Sequence, residues 1–246
     1  MKSLENKTAI VTGASRGPGK KIALQFALQG AKVVVNYASN QTAADTTVEE
    51  IKQKGGNAMA LKADVSIAAE VNQLYSQTLK HFGGVDIVVN NAGIMITKPL
   101  KNFSETEFDQ QFAINVKSVF LMMQVAAAQL NPNGRIINIS SSTSRLMMPG
   151  YAIYSATKAA VEQMTRVFAK EIGYKGITVN SVLPGPMNTE LFLQGKSEEM
   201  IQRIAGLAAF NRIGEVEDIV PIVLFLAGEN AQWITGQNIG VNGGMV

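Results

Sequence analysis

Short β-branched runs recur along the chain with helix-like stretches between them, and this rhythm limits the folds open to it. The runs are Thr8 to Thr12, Lys32 to Asn36, Ala58 to Lys62, Val85 to Asn90, Arg135 to Ile139 and Thr178 to Leu183. Strands separated by helices return to their sheet in parallel, because no tight hairpin joins them. Most runs are apolar at nearly every position, as in Val33-Val34-Val35 and Ile87-Val88-Val89. Such strands are covered on both faces. The expectation is an α/β fold: a doubly wound parallel sheet in three layers. At 246 residues and 46% hydrophobic, residues 1–246 suit a single domain.

The intervening stretches carry helix signals. Lys20 to Leu28 follows the first run, Ser66 precedes a helix over Ile67 to Phe82, and Ser104-Glu105-Thr106-Glu107 forms a capping box before a long helix reaching about Leu130. Helices are also predicted over Tyr151 to Ile172 and Glu215 to Ala227, with Gly30, Gly55 and Gly173 at helix ends and a last strand at Ile239 to Val241. The rhythm breaks at about 184–212, where a Pro/Gly-punctuated stretch with one short amphipathic helix reads as a substrate lid.

Composition removes several function classes. With no cysteine and one histidine, thiolate and multi-imidazole metal sites are excluded, and no metal is expected. His81 reads as a cation near the end of its helix. The 22 Lys and Arg against 19 Asp and Glu are scattered, which argues for small anionic ligands over nucleic acid. The Met1-Lys2-Ser3-Leu4-Glu5-Asn6-Lys7 start has no apolar core, and no later stretch reads as a membrane span, so a cytoplasmic protein is expected.

The first run leads through Gly13-Ala14-Ser15-Arg16-Gly17-Pro18-Gly19 into a helix, the context a phosphate cradle requires. Gly13 permits the tight turn, Gly17 lets backbone approach a pyrophosphate, and Gly19 allows close packing of helix on strand. Three glycines also fit a purely structural turn.

Four motifs together resemble the short-chain dehydrogenase/reductases: Thr12 to Gly19, Asn90-Asn91-Ala92-Gly93, Tyr154-Ser155-Ala156-Thr157-Lys158 and Pro184-Gly185. The likeness spans essentially the whole chain, especially the NADP-preferring carbonyl reductases. It implies a seven-stranded Rossmann sheet, a nicotinamide dinucleotide, an Asn115-Ser141-Tyr154-Lys158 catalytic set and a homotetramer. It also implies cofactor contacts from Gly13, Ser15, Arg16, Gly17, Pro18 and Gly19, from Asp64 and Val65, from Asn91, Ala92 and Gly93, and from Tyr154, Lys158, Pro184, Gly185 and Thr189. Pro18 departs from the pattern, since similar chains place Ile or Leu there and proline offers no amide to a pyrophosphate. Proline is equally welcome in a first helical turn.

An acidic residue closing the second strand would bond a ribose 2′-hydroxyl and repel a 2′-phosphate. The segment here is Asn36-Tyr37-Ala38-Ser39-Asn40, with no carboxylate before Asp45 and with Arg16 able to meet a phosphate. NADP(H) is favoured over NAD(H). Asp64 has a second reading as a cap for the helix near Ser66.

Tyr154 and Lys158 stand one helical turn apart, on one face. Ser141, thirteen residues before Tyr154, ends the strand Arg135 to Ile139, where it can meet them. The proposed chemistry has Ser141 and Tyr154 polarise a carbonyl and Tyr154 give its proton, with Lys158 lowering the Tyr154 pKa toward neutrality. A role for Asn115 in holding a water is implied by the resemblance alone; it equally reads as a polar group satisfying backbone in a helix kink.

The substrate is expected to be a small-molecule ketone, aldehyde or alcohol bordered by Ile94, Met95, Arg145, Met148, Met187 and Phe192, with Arg145 either meeting a carboxylate or facing solvent. The alternatives are a 3-ketoacyl-carrier-protein reductase, disfavoured by a near-absence of basic residues before the fifth strand, and an NADP-binding sensor without turnover. Val119, Phe120, Met122, Met123 and Val125 lie on several faces of one helix, which predicts burial by a second copy as well as by the sheet.

Overall fold

The computed structural model describes residues 2–246; Met1, the first residue of the stretch read for an apolar core, lies outside the described residues. Seven strands form one wholly parallel sheet: β1 (Thr8–Val11), β2 (Lys32–Tyr37), β3 (Asn57–Lys62), β4 (Ile87–Asn90), β5 (Arg135–Ile139), β6 (Thr178–Pro184) and β7 (Asn238–Val241). Their spatial order is β3-β2-β1-β4-β5-β6-β7. The order reverses between β1 and β4, where Ala9 pairs with Ile87 and Val11 with Val89. Ligands of open α/β sheets bind outside the carboxyl ends of the strands at such a reversal.

The strands read as unbroken apolar runs because successive residues serve opposite cores. Ala9, Val11, Val33, Val35, Ile87 and Val89 enter one core with α1 (Gly17–Leu28), α2 (Gln41–Gln53) and, later in the chain, Val216–Ala227. Ile10, Val34, Val88 and Ile136 enter the other core, with α3 (Ala68–Phe82) and the helices that follow β4 and β5. Each Val or Ile so buried contributes about 1.5–3 kcal/mol. β4 starts two residues later than predicted, because Val85 and Asp86 hold the Asn131 and Arg135 amides across the sheet's lower edge.

Ser104 and Glu107 close the predicted capping box, and the helix behind them runs to Gln129. It is not uniform: α4 (Glu105–Phe112) passes through a π-helical turn, Ala113–Lys117, into α5 (Ser118–Gln129). Contrary to expectation, Glu105–Gln129 is long and apolar enough by length and composition to cross a membrane. Here it packs into the second core, where Tyr75 of α3 donates to Met122 O at 2.9 Å. That contact also corrects the assembly argument: Val119, Met122 and Met123 are buried within the chain, and Phe120 is the large exposed member of the set.

Helix α6 (Ala152–Ile172) ends at a right-handed Gly173, and the left-handed turn comes at Gly176, φ 71°. The segment after β6 holds two short helices where one was expected, α7 (Glu190–Leu193) and α8 (Glu198–Ala205), separated by Gly195 at φ 73°. The last helix is α9 (Val216–Ala227). His81 lies in the last turn of α3 with its ring edge-on to Phe82.

Candidate active site

The turn between β1 and α1 has the shape its glycines imply. Gly13 (φ 62°) and Gly17 (φ 53°) are left-handed, and a Cβ on Gly17 would meet nothing within 4 Å, which leaves an open cradle at the head of α1. A Cβ on Gly19 would stand 2.6 Å from Gly13 O and 2.5 Å from Asn91 Nδ2, so only glycine lets the helix sit so close. Pro18 occupies the first turn of α1, where a missing amide costs no helical bond. The cradle fits a dinucleotide pyrophosphate. Thr12, which opens the glycine motif, joins the two loops: its Oγ1 accepts from the amides of Asn91 (2.9 Å) and Ala92 (3.0 Å). Asn91 Nδ2 donates back to Thr12 O at 2.9 Å, and Gly93 follows at the exposed rim.

Several residues proposed for the cofactor have other engagements. Asn36 is a correction: its side chain is buried, accepts from Gly13 N–H and donates to Leu61 O and Ala63 O, so it shapes the turn from beneath. Tyr37 is buried too, whereas Ala38, Ser39 and Asn40 are exposed beyond β2. Asn40 Oδ1 caps α2 at Ala43 N–H. Asp64 accepts from the Ser66 amide and hydroxyl in a local turn and does not cap α3, whose first position is preceded by Ile67, and Val65 is buried. Arg16 forms an exposed ion pair with Glu190 of α7 at 2.8 Å. Ser15 O lies 3.5 Å from Thr47 Oγ1 of α2. Pro184 closes β6, Gly185 N–H reaches Val241 O, and Thr189 caps α7 through Phe192 N–H.

The predicted reacting groups converge at the carboxyl end of β5. Ser141 caps a short 3₁₀ turn, Ser142–Arg145, through Thr143 N–H. Its hydroxyl lies beside the buried Tyr154 phenol. Lys158 Nζ sits 5.6 Å from the Tyr154 ring centroid and donates to Ile139 O at 2.9 Å. Burial pushes the Tyr154 phenol up to about 12, with Ser141 pulling partly against it and Tyr151 adding to it. Burial likewise draws Lys158 down to about 8, opposed by Glu162. Burial is the largest influence on Tyr154 here, and Lys158, itself desolvated, donates to Ile139 O.

Asn115 sits in the π-helical turn. Its Oδ1 accepts from Ile94 N–H, and its Nδ2 donates to Ile94 O and Thr157 Oγ1. Its carboxamide thus satisfies the backbone of Ile94 from an irregular turn at the edge of the site. Gln111, one turn earlier and unforeseen, accepts from Ile96 N–H at 2.5 Å. These two carboxamides hold the Ile94-Met95-Ile96 segment, and Lys98 N–H continues it to Gly150 O. Ile94, Met95 and Met148 are half-buried around this wall, while Arg145 is exposed and lies 3.8 Å from Glu162. Phe192 is buried with Lys196 stacked over it. Met187 instead borders a cleft of about 180 Å³ under Gly185, together with Phe210, Arg212 and Met245.

Residues 13–246 match a family model described as enoyl-(acyl carrier protein) reductase. The chain is 44% identical to a short-chain type dehydrogenase/reductase of Picea abies, over 99% of this chain and 93% of the relative. It is 42% identical to an NADPH-dependent aldehyde reductase-like chloroplastic protein of Arabidopsis thaliana, over 99% of this chain and 95% of the relative. The angucycline C-6 ketoreductase LanV, solved with NADP bound, superposes with a TM-score of 0.93 at 37% identity, over 99% of this chain and 96% of LanV. The chain belongs to the short-chain dehydrogenase/reductase family and is an oxidoreductase acting on C=O and CH–OH groups.

Proposed function

We propose that the chain reduces a ketone or aldehyde carrying apolar substituents with NADPH, and runs the reverse oxidation, using Tyr154 as proton donor and acceptor. The observation that carries this reading is the convergence of Ser141, Tyr154 and Lys158 at the end of β5, beside the strand-order reversal. Gly13, Ser15, Arg16, Gly17 and Gly19 would hold the dinucleotide with Asn91, Ala92 and Gly93. When bound, the cofactor supplies or takes the hydride. The protein supplies the rest. Ser141 and Tyr154 direct hydroxyls at the carbonyl oxygen, Tyr154 passes its proton to the developing alkoxide, and Lys158 steadies the phenolate left behind. Asn115 fixes the wall against which the substrate rests, through Ile94.

The NADP preference rests on the missing carboxylate after β2 and on Arg16, and the NADPH-dependent Arabidopsis relative supports it. Segment 184–212 acts as the lid, tethered through Arg16 and Glu190. The exposed Phe108, Phe120 and Val167 on α4 to α6 support a homotetramer. Light scattering tests it: a mass near 26.3 kDa would exclude assembly.

The carrier-protein reading is weaker, because Lys175, beside the Asn131 to Gly134 stretch before β5, donates to Ala127 O at 2.6 Å, and Arg135 is buried against Asn133 O and Gly134 O. NADPH oxidation against a panel of aryl ketones, aldehydes and acetoacetyl thioesters tests the whole proposal. Turnover of ketones or aldehydes is expected, and inertness toward every carbonyl would overturn it.

A further inference from the structure

Behind the reacting groups lies a carboxylate to which the chemistry above gives no task. Glu162 is one helical turn beyond Lys158 on α6, and only 9% exposed. Its Oε1 accepts from Ser140 Oγ at 2.8 Å, and its Oε2 lies 3.8 Å from Arg145 Nη2. Ser140 Oγ also reaches Lys158 O at 3.2 Å, and Ser140 is the chain neighbour of Ser141. One buried carboxylate therefore touches the strand end that carries Ser141, the loop that carries Arg145, and the helix that carries Tyr154 and Lys158.

We infer that Glu162 is a positioning residue for the proton chemistry: through Ser140 and Arg145 it ties the strand end and loop that carry Ser141 to α6, and it sets one buried negative charge behind the reacting groups. A buried ammonium without a counter-charge is driven toward its neutral form. The charged and titratable groups around Lys158 are Tyr154 and Glu162 on its own helix and Arg145 on the preceding loop. Its contacts from other elements, Ile139 O of β5 and Gly93 of the loop after β4, are neutral. Glu162 is the one carboxylate in this set, one helical turn from Lys158 and joined through Ser140 Oγ to Lys158 O. Arg145, half-exposed, moderates that charge from the far side.

The inference rests on Tyr154 and Lys158 carrying the proton chemistry, so its test needs a readout that packing alone leaves unmoved. Glu162→Gln keeps an oxygen to accept from Ser140 and removes only the charge. Losing a negative charge lowers the pKa of every nearby group, so the alkaline limb of the kcat/KM profile for NADPH-dependent ketone reduction moves to lower pH. The expected move is at least about half a unit. Glu162→Asp, which keeps the charge, leaves the limb near its original place. Arg145→Gln, at a surface position, moves the limb the opposite way, to higher pH. If Glu162→Gln does not fold, the Arg145→Gln shift decides alone. A limb that stays put in Glu162→Gln (or in Arg145→Gln, where the former does not fold), or that shifts in the same direction in both, overturns the inference. Absence of turnover in the wild type would instead overturn the reductase reading on which it rests.

Discussion

Asn115 satisfies both backbone groups of Ile94, accepting from its N–H and donating to its C=O, each at 2.9 Å. The π-helical turn at Ala113–Lys117 accompanies this placement, and one carboxamide does for the segment after β4 what a neighbouring strand would do. Asn115→Ala leaves two polar groups of that wall without partners, at about 1–3 kcal/mol each where no water replaces them. A drop in thermal stability together with a lower kcat is expected. Calorimetry and steady-state rates check this, and a variant as stable as the parent would show that Ile94 finds other partners.

Tyr154→Phe keeps the ring that packs against Tyr151 and removes only the hydroxyl. Turnover is expected to become unmeasurable, while the NADPH dissociation constant changes by no more than about twofold, since only the transition state uses the hydroxyl. Fluorescence titration separates the two quantities. Parallel loss of binding would assign Tyr154 to the cofactor site alone.

Arg16→Ala removes the proposed partner of the 2′-phosphate. Loss of a hydrogen bond to a charged group, about 1.5–3 kcal/mol, corresponds to tenfold or more in affinity. The exposed pair with Glu190 that the change also breaks contributes little. The NADPH Michaelis constant should rise about tenfold or more and the NADH constant by less than about twofold. Equal effects on both cofactors would remove the 2′-phosphate assignment.

Lys158 and Tyr154 predict how stability follows pH. Lys158 is drawn down to about 8 when folded, against an ordinary lysine value of 10.5, so the unfolded chain holds more protons between these values and stability rises with pH across that window. Tyr154 titrates near 12 when folded, against 10.0, so its folded form keeps a proton that the unfolded form loses, and stability falls above about pH 10. Lys158→Met should remove the rise. Its stability relative to the wild type should decline by about 2 kcal/mol from pH 7 to 9.5 in urea titrations. A pH-independent difference would place the charged lysine in a more solvated setting.

The fold was legible wherever burial imposed a simple pattern. Arg135–Ile139 matches its predicted run because both its faces are covered, and the capping box at Ser104 has a signature set by local bonding. Depth was not legible. Asn36 looks in sequence like a free donor at a strand end, yet its amide is spent beneath the glycine turn. Glu162 carried a signal, its one-turn spacing from Lys158, but only the packing of β5 against α6 makes that carboxylate buried. The π-helical turn left no mark that propensity would register, since it depends on what Asn115 and Gln111 meet across space.

The pairing of β1 with β4 also bears on how the chain reaches this structure. Ala9 finds Ile87 only after two complete strand-helix units have come between them. Closing so distant a contact is entropically slow, and parallel sheets fold late for that reason. During synthesis the glycine turn therefore precedes its partner Asn91 by most of a hundred residues, and the inner edge of β1 stays unsatisfied until β4 emerges. The ligand cradle is complete only once β4 has paired with β1, so no fragment that ends before Asn91 should bind the dinucleotide. Added cofactor should protect the completed fold by mass action without speeding the search that builds it.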